Sequence, residues 1–198
     1  MSINYLNVKN LTLGYGNNIV INNINLSLKS TKNYQIIGGN GVGKSTLLGF
    51  ISNNFQGNTF NSIIESEQIR ILEISNEPTV NLTLSLLENC VYFTQEAMQE
   101  DKIQKLLKEY GMHSFMNDLV KNFSSGMVKR SELAIAKMID PEILCIDEPL
   151  NYLDKEGVEL LRKLLKSRFE VGKSNILASQ DSLNIFEDNY ETIDLNVY

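Results

Sequence analysis

Residues 38–46 read Gly38-Gly39-Asn40-Gly41-Val42-Gly43-Lys44-Ser45-Thr46, which fits the phosphate-loop pattern G-x-x-x-x-G-K-[ST]. The run Tyr34-Gln35-Ile36-Ile37 precedes it and Leu47-Leu48-Gly49-Phe50-Ile51 follows, so strand, loop and helix stand in the order the motif requires. The composition has a physical reason. A ring of backbone N–H groups at a helix N-terminus is a low-cost way to hold the phosphate tail of a nucleotide, and Gly38, Gly41 and Gly43 let the backbone fold that closely. Lys44 adds a mobile positive charge for the β- and γ-phosphates. The Ser45 hydroxyl is placed to complete the octahedral shell of a Mg²⁺ ion bridging them. The flanking strand and helix weigh against a glycine-rich turn that merely precedes a lysine.

Working outward, Ile143-Leu144-Cys145-Ile146-Asp147-Glu148-Pro149 is an apolar strand that ends in two carboxylates. The C-terminal edge of such a strand is where ligands of open α/β sheets sit. Asp147 there can hold a water of the Mg²⁺ shell, and Glu148 can polarise the water that attacks a γ-phosphate. A merely solvated strand end would not explain this pair in a chain that already carries the loop. Phe123-Ser124-Ser125-Gly126-Met127 leads into an apolar helix from Leu133 to Ile139. Its small residues offer amides and hydroxyls to an anion, although alone the stretch reads equally as an ordinary N-cap. Tyr15, between Gly14 and Gly16, can stack on a purine, but taken by itself reads more readily as a turn tyrosine.

The remaining chain supplies the frame. Residues 3–37 alternate apolar and polar in short runs, Leu6-Asn7-Val8, Leu11-Thr12-Leu13, Ile19-Val20-Ile21 and Ile24 to Leu28, punctuated by Gly14, Gly16 and asparagine pairs. This pattern predicts an antiparallel β layer leading into the loop strand. A helix is expected over 44–54, more strand at Phe60-Asn61-Ser62-Ile63-Ile64, and a buried strand at Ile69 to Ile74, closed by Ser75-Asn76-Glu77-Pro78. Between 79 and 122, Leu84, Leu86, Leu87, Val91, Phe93, Ile103, Leu106, Leu107 and Tyr110 fall at helical spacing, which predicts a mostly helical insert. His113, in Gly111-Met112-His113-Ser114, reads as a surface residue.

A chain of 198 residues can bury one sizeable core with a small satellite, not two full domains. Its net charge of −6 weighs against a surface that wraps nucleic acid, which needs a basic footprint. Cys90 and Cys145 lie singly in apolar segments without metal-ligand spacing and read as reduced core thiols. Neither a basic-then-apolar leader nor a long uninterrupted apolar stretch is present, so any membrane role is expected through a partner.

Together and in this order, the motifs resemble those of the ATP-binding subunit of an ABC transporter, over nearly the whole chain. The resemblance implies an α/β fold: a P-loop NTPase core with an N-terminal antiparallel β subdomain (residues 1–78 and 124–198) and an inserted α-helical subdomain at about 79–123. It implies ATP and Mg²⁺ as ligands. Gly38 to Ser45 match the Walker A motif, with Thr46 beside it, Ile143 to Asp147 match Walker B, and Glu148 matches the adjacent catalytic glutamate. Phe123 to Met127 match the signature in the aromatic-Ser-x-Gly-Met form common in subunits that resemble exporter ATPases. Ser124 and Gly126 would thereby reach the nucleotide. Asn151-Tyr152-Leu153-Asp154 fits the D-loop, and Tyr15 falls where the family's adenine-stacking aromatic belongs.

Two positions depart from the family pattern. The Q-loop glutamine, which with Ser45 and Asp147 would reach the metal, corresponds to Asn76 or to Glu77. The switch histidine falls at Gln180, whose amide can donate to a γ-phosphate but cannot carry an imidazolium charge, so slow turnover is expected. The resemblance further implies two such subunits, identical or different, packed head to tail. They would couple to separate transmembrane permease subunits at the cytoplasmic face of the membrane, with no nucleic-acid partner. Two rivals share these motifs: a soluble ABC-type ATPase acting on ribosomes or DNA, and a weakly hydrolysing regulatory subunit. A purely structural interaction module would have no use for Lys44 and Glu148 together.

Overall fold

Asparagine shapes the N-terminal sheet of the computed structural model, which describes residues 4–60, 62–95, 98–186 and 190–197. Strands β1 (Asn4–Tyr15) and β2 (Asn18–Lys29) are long and antiparallel. Of the asparagine pairs expected to separate short strands, Asn22-Asn23 lies inside β2 and does not end it. Asn10 and Asn23 sit inside β1 and β2 at φ 55°, a left-handed conformation that asparagine tolerates better than most side chains. The ladder shifts register at both places, between Val8 and Leu11 and between Leu11 and Leu13, while Ile21, Ile24, Leu26 and Leu28 all stay inside. The displaced amides find side-chain acceptors: Asn10 N–H donates to Asn25 Oδ1 (2.9 Å) and Asn23 N–H to Thr12 Oγ1 (3.1 Å). Tyr15, expected within the turn, is instead the last residue of β1 and pairs with Asn18. The turn proper is Gly16-Asn17, with Gly16 at φ 59°.

Strands β3 (Asn33–Ile37) and β4 (Asn58–Phe60) and β5 (Ile63–Ser66) follow, the last two both antiparallel to β1. The run in which more strand is expected, Phe60 to Ile64, thus contributes to two strands on one partner. Asn61, within that run, lies outside the described residues, as does Ile3 at the start of the N-terminal alternation. Helix α1 spans Lys44–Ile51, shorter than the expected 44–54, because the chain turns away at Asn53, with φ 64°.

Strands β6 (Ile71–Ile74), β7 (Ile143–Asp147), β8 (Ser174–Ser179) and β9 (Tyr190–Asp194) join β3 in a parallel sheet of order β6-β7-β8-β3-β9. β7 and β8 are buried along their whole length, as inner parallel strands are. β6 was expected to be buried but is only partly so, because it lies at the sheet edge with one neighbour. A single apolar cluster includes Leu11, Leu13 and Ile24 of the antiparallel sheet, Leu47 and Leu48 of α1, and Ile36, Cys145 and Ile176 of the parallel sheet. These elements form one compact unit, residues 1–75, 142–149 and 167–198.

The second unit, residues 76–141 and 150–166, contains α2 (Leu86–Thr94), α3 (Glu100–Glu109) and α4 (Ser125–Ile139), with 3-10 turns at His113–Phe115 and Val120–Asn122. Helix α5 (Lys155–Glu170) begins there. α2 opens with a capping box, in which Ser85 Oγ accepts Glu88 N–H while the Glu88 carboxylate accepts Ser85 N–H. His113 is exposed, and Cys90 and Cys145 are free and buried. On α4 the buried Lys129 and Glu132 face each other at 3.8 Å, and Glu132 Oε1 accepts Thr79 N–H at 2.6 Å. Burial pushes the Glu132 carboxyl above the usual carboxylate range, with Lys129 opposing. Glu132→Ala leaves Thr79 N–H without this acceptor and is expected to cost about 1–3 kcal/mol. The expected readout is a lower urea midpoint with an unchanged m-value, and Glu132→Gln, which keeps an acceptor, should lose less.

Candidate functional site

In the first unit the phosphate-type loop joins β3 to α1. Gly43 caps α1 at φ 103°, and a Cβ there would come within 2.9 Å of Ile21 Cγ1 and 3.0 Å of Val20 Cγ1, so the close approach of loop to β2 requires glycine. Gly41 turns at φ 82°. No side chain caps the N-terminus of α1 and no acidic residue occupies its first turn. Its N–H groups therefore face outward with the positive end of the helix dipole behind them. Asn40, Gly41 and Ser45 are exposed, Val42 packs against the apolar cluster, and Thr46 is buried.

Lys44 is buried, and its Nζ donates to Gly38 O at 2.9 Å and Gly39 O at 3.1 Å. The same ammonium lies 3.9 Å from the Glu148 carboxylate. Glu148 follows β7 at φ 44°, and its N–H donates to Ala178 O at 2.8 Å. Burial raises the Glu148 carboxyl above the usual range, Lys44 pulls it back and Asp147 pushes it further up. Ser45 Oγ donates to Asp147 Oδ2 at 2.5 Å, whereas Asp147 Oδ1 is buried without a hydrogen-bond partner. A hydroxyl beside a carboxylate with a free lone pair is a donor set suited to a small hard cation that keeps several waters. Among the described residues no group of three or more His, Cys, Asp or Glu is placed to hold a metal.

Gln180 follows β8, next to the end of β3, and its side chain is exposed. Its carbonyl accepts Gly38 N–H at 3.3 Å, and Asn196 Oδ1 accepts Gly39 N–H at 3.0 Å. Tyr15 is 50% exposed and meets Phe55 edge to face, with centroids 5.4 Å apart.

The second unit holds the other candidates. Ser124 Oγ accepts Met127 N–H at 3.3 Å, so α4 begins at Ser125, well before the apolar stretch expected to form it. A Cβ on Gly126 would lie 2.8 Å from Tyr152 O, which makes glycine the residue that lets these two backbones meet. Arg130 of α4 reaches Asp154 at 2.7 and 2.9 Å and Glu156 at 2.9 Å. Asp154 also accepts Gly157 N–H at 2.8 Å. That bond first, and Arg130 after it, hold the Asp154 carboxyl below its usual range. Tyr152 is 63% exposed. Asn76, with Pro78, Phe123, Ser125, Lys129 and Glu132, lines a cleft of about 330 Å³ in this unit.

Sequence reasoning missed Arg130, Glu132 and Asn196. Their partners lie 24, 53 and 157 residues away, beyond any local pattern.

The family model described as ABC transporter matches residues 21–151. Among curated relatives, the lantibiotic transport ATP-binding protein SrtF of Streptococcus pyogenes is 32% identical over 181 residues, covering 88% of this chain and 79% of that one. The bacitracin transport ATP-binding protein BcrA of Enterococcus faecalis is 27% identical, covering 92% and 63% respectively. Among solved structures, cbiO1 from Clostridium perfringens, part of the ABC transporter complex cbiONQ, superposes with a TM-score of 0.72 at 23% identity, over 96% of this chain and 84% of that one. At that identity the likeness concerns the fold alone.

Proposed function

This chain belongs to the ABC transporter family, and on that premise we propose that it is the ATP-binding and hydrolysing subunit of an exporter, working with separate membrane-spanning subunits. The observation that carries the reading is the convergence of Lys44, Ser45, Asp147 and Glu148 at the C-terminal end of β7. Equilibrium dialysis of the purified chain with labelled ATP and Mg²⁺ tests it; absence of binding overturns it.

The outward N–H groups of the loop and of α1 take the phosphate tail, and Lys44 balances its charge. Ser45 and Asp147 would hold Mg²⁺, which when bound neutralises charge building up across the β- and γ-phosphates. Glu148 orients the attacking water and accepts its proton as the bond from the γ-phosphorus to the bridging oxygen breaks, leaving ADP and inorganic phosphate. Tyr15, half exposed, offers a ring face to adenine.

Gln180 supplies an N–H donor to the γ-phosphate but no positive charge, so turnover is slow. Gln180→His is expected to raise kcat about tenfold through charge placed where charge develops. The backbone bond from Gly38 to residue 180 is untouched by that change. Steady-state phosphate release decides it, and an equal or lower kcat in the histidine variant overturns the explanation.

Two subunits, identical or related, close head to tail, each loop completed by Ser124 and Gly126 of the other. The exposure of Ser124, Ser125, Leu150 and Tyr152 supports such an interface. ATP then forms part of the contact, and its hydrolysis loosens it. The helical unit and the Asn76 turn face the permease at the inner membrane surface. Among the described residues no helix is long and apolar enough to cross a membrane. The relatives named for lantibiotic and bacitracin transport, with the Phe-Ser-Ser-Gly-Met signature, support an exporter. An ATPase acting on ribosomes or DNA is disfavoured by the acidic balance of the chain.

A further inference from the structure

β9 runs parallel to β3 in a register that places Asp194 beside Ile37, so the chain leaving β9 passes the first residues of the phosphate loop. Leu195 is buried in the apolar cluster and anchors the passage. Asn196 follows in a 3-10 turn, Leu195–Val197. Its Nδ2 and its backbone N–H both donate to Asp194 Oδ1 at 2.9 Å. A carboxylate only accepts, so the NH₂ end of the carboxamide faces Asp194 and its oxygen faces Gly39 N–H, at 3.0 Å.

That N–H belongs to the same peptide unit as Gly38 C=O. The described chain has no cis peptide bond, and in a planar trans unit N–H and C=O point in opposite directions. An acceptor that fixes the N–H on one side therefore aims the carbonyl on the other. The carbonyl is aimed at Lys44 Nζ, 2.9 Å away. On the preceding peptide, Gln180 O holds Gly38 N–H.

The geometry points to Asn196, oriented by Asp194, as a positioning residue: it holds the Gly38–Gly39 peptide so that Lys44 stands ready for the phosphate tail. This deepens the ATP-binding reading and rests on it. It also implies that the cradle of free amides begins at Asn40, the two preceding N–H groups being turned toward the protein.

Calorimetric titration with ATP and hydrogen exchange of the nucleotide-free chain test it in four proteins: the unaltered chain, Asn196→Ala, Asn196→Asp, and Asn196→Asp combined with Asp194→Asn. Asn196→Ala should weaken ATP binding about five- to tenfold, the scale of one lost hydrogen bond. It should speed exchange in residues 38–44 while β3, β8 and β9 keep their protection. Asn196→Asp alone sets two carboxylates against each other and should weaken binding as well. Adding Asp194→Asn returns the donor from the opposite partner and should restore affinity to within about twofold. Unchanged or tighter binding by Asn196→Ala overturns the proposal, as does faster exchange spread through the three strands or a double variant that stays weak. If the unaltered chain fails to bind ATP, the ATP reading itself falls. If it binds and the variants match it, only the role of Asn196 does.

Discussion

Lys44→Ala is expected to weaken ATP binding about 30- to 4,000-fold and to abolish hydrolysis, while the chain stays folded. Removing one member of a desolvated charge contact costs about 2–5 kcal/mol, and each 1.4 kcal/mol is tenfold in affinity. Two structural facts place the effect toward the upper end. Lys44 is buried, so its charge is poorly screened, and its Nζ covers Gly38 O and Gly39 O. Without the ammonium these carbonyls would turn their negative ends toward an anion. Lys44→Arg should rescue little, because a planar fork cannot reproduce a compact ammonium that bonds two carbonyls and a phosphate at once. Calorimetry with ATP measures the loss, and near-normal affinity in Lys44→Ala would remove the basis of the functional reading.

The second large effect separates binding from chemistry. Glu148→Gln should lower kcat about 10²- to 10⁴-fold, the range for losing a positioned general base. ATP affinity should be kept or improved, since a negative charge 3.9 Å from Lys44 and adjacent to Asp147 is removed. With ATP no longer consumed, the closed dimer should accumulate. Size exclusion with ATP and Mg²⁺ reads this directly: a dimer in Glu148→Gln that is sparse in the unaltered chain supports the split site. A monomer with full ATP occupancy rules out closure of two copies of this chain, and undiminished hydrolysis would mean that another group takes the proton.

The loop, the Walker B strand and the helical periodicity could be read from sequence because each is a local pattern: glycines at fixed offsets, an apolar run ending in acids, spacing of three and four. The misreadings arose where local chemistry permits two outcomes and distant pairing chooses. Asn23, of the pair Asn22-Asn23, looks like a turn residue, yet long partners on the same sheet make a register shift less costly than ending the strand. Ile71 to Ile74 is apolar enough for the sheet interior, but strand order, which no local pattern encodes, leaves it at the edge. The Arg130–Asp154 pair and the Asn196 contact with Gly39 belong to the same class, since each becomes visible only when the chain has folded back on itself.

The two sulfhydryls carry one more consequence. Cys90 lies in the helical unit and Cys145 on β7, each fully enclosed. Enclosure pushes the Cys90 thiol up to about 12 and that of Cys145 higher still. Because only the thiolate attacks electrophiles, neither sulfur reacts until its surroundings open. Each half of the molecule thus contains its own chemical clock for transient unfolding, and the two clocks tick independently wherever the halves come apart at different rates.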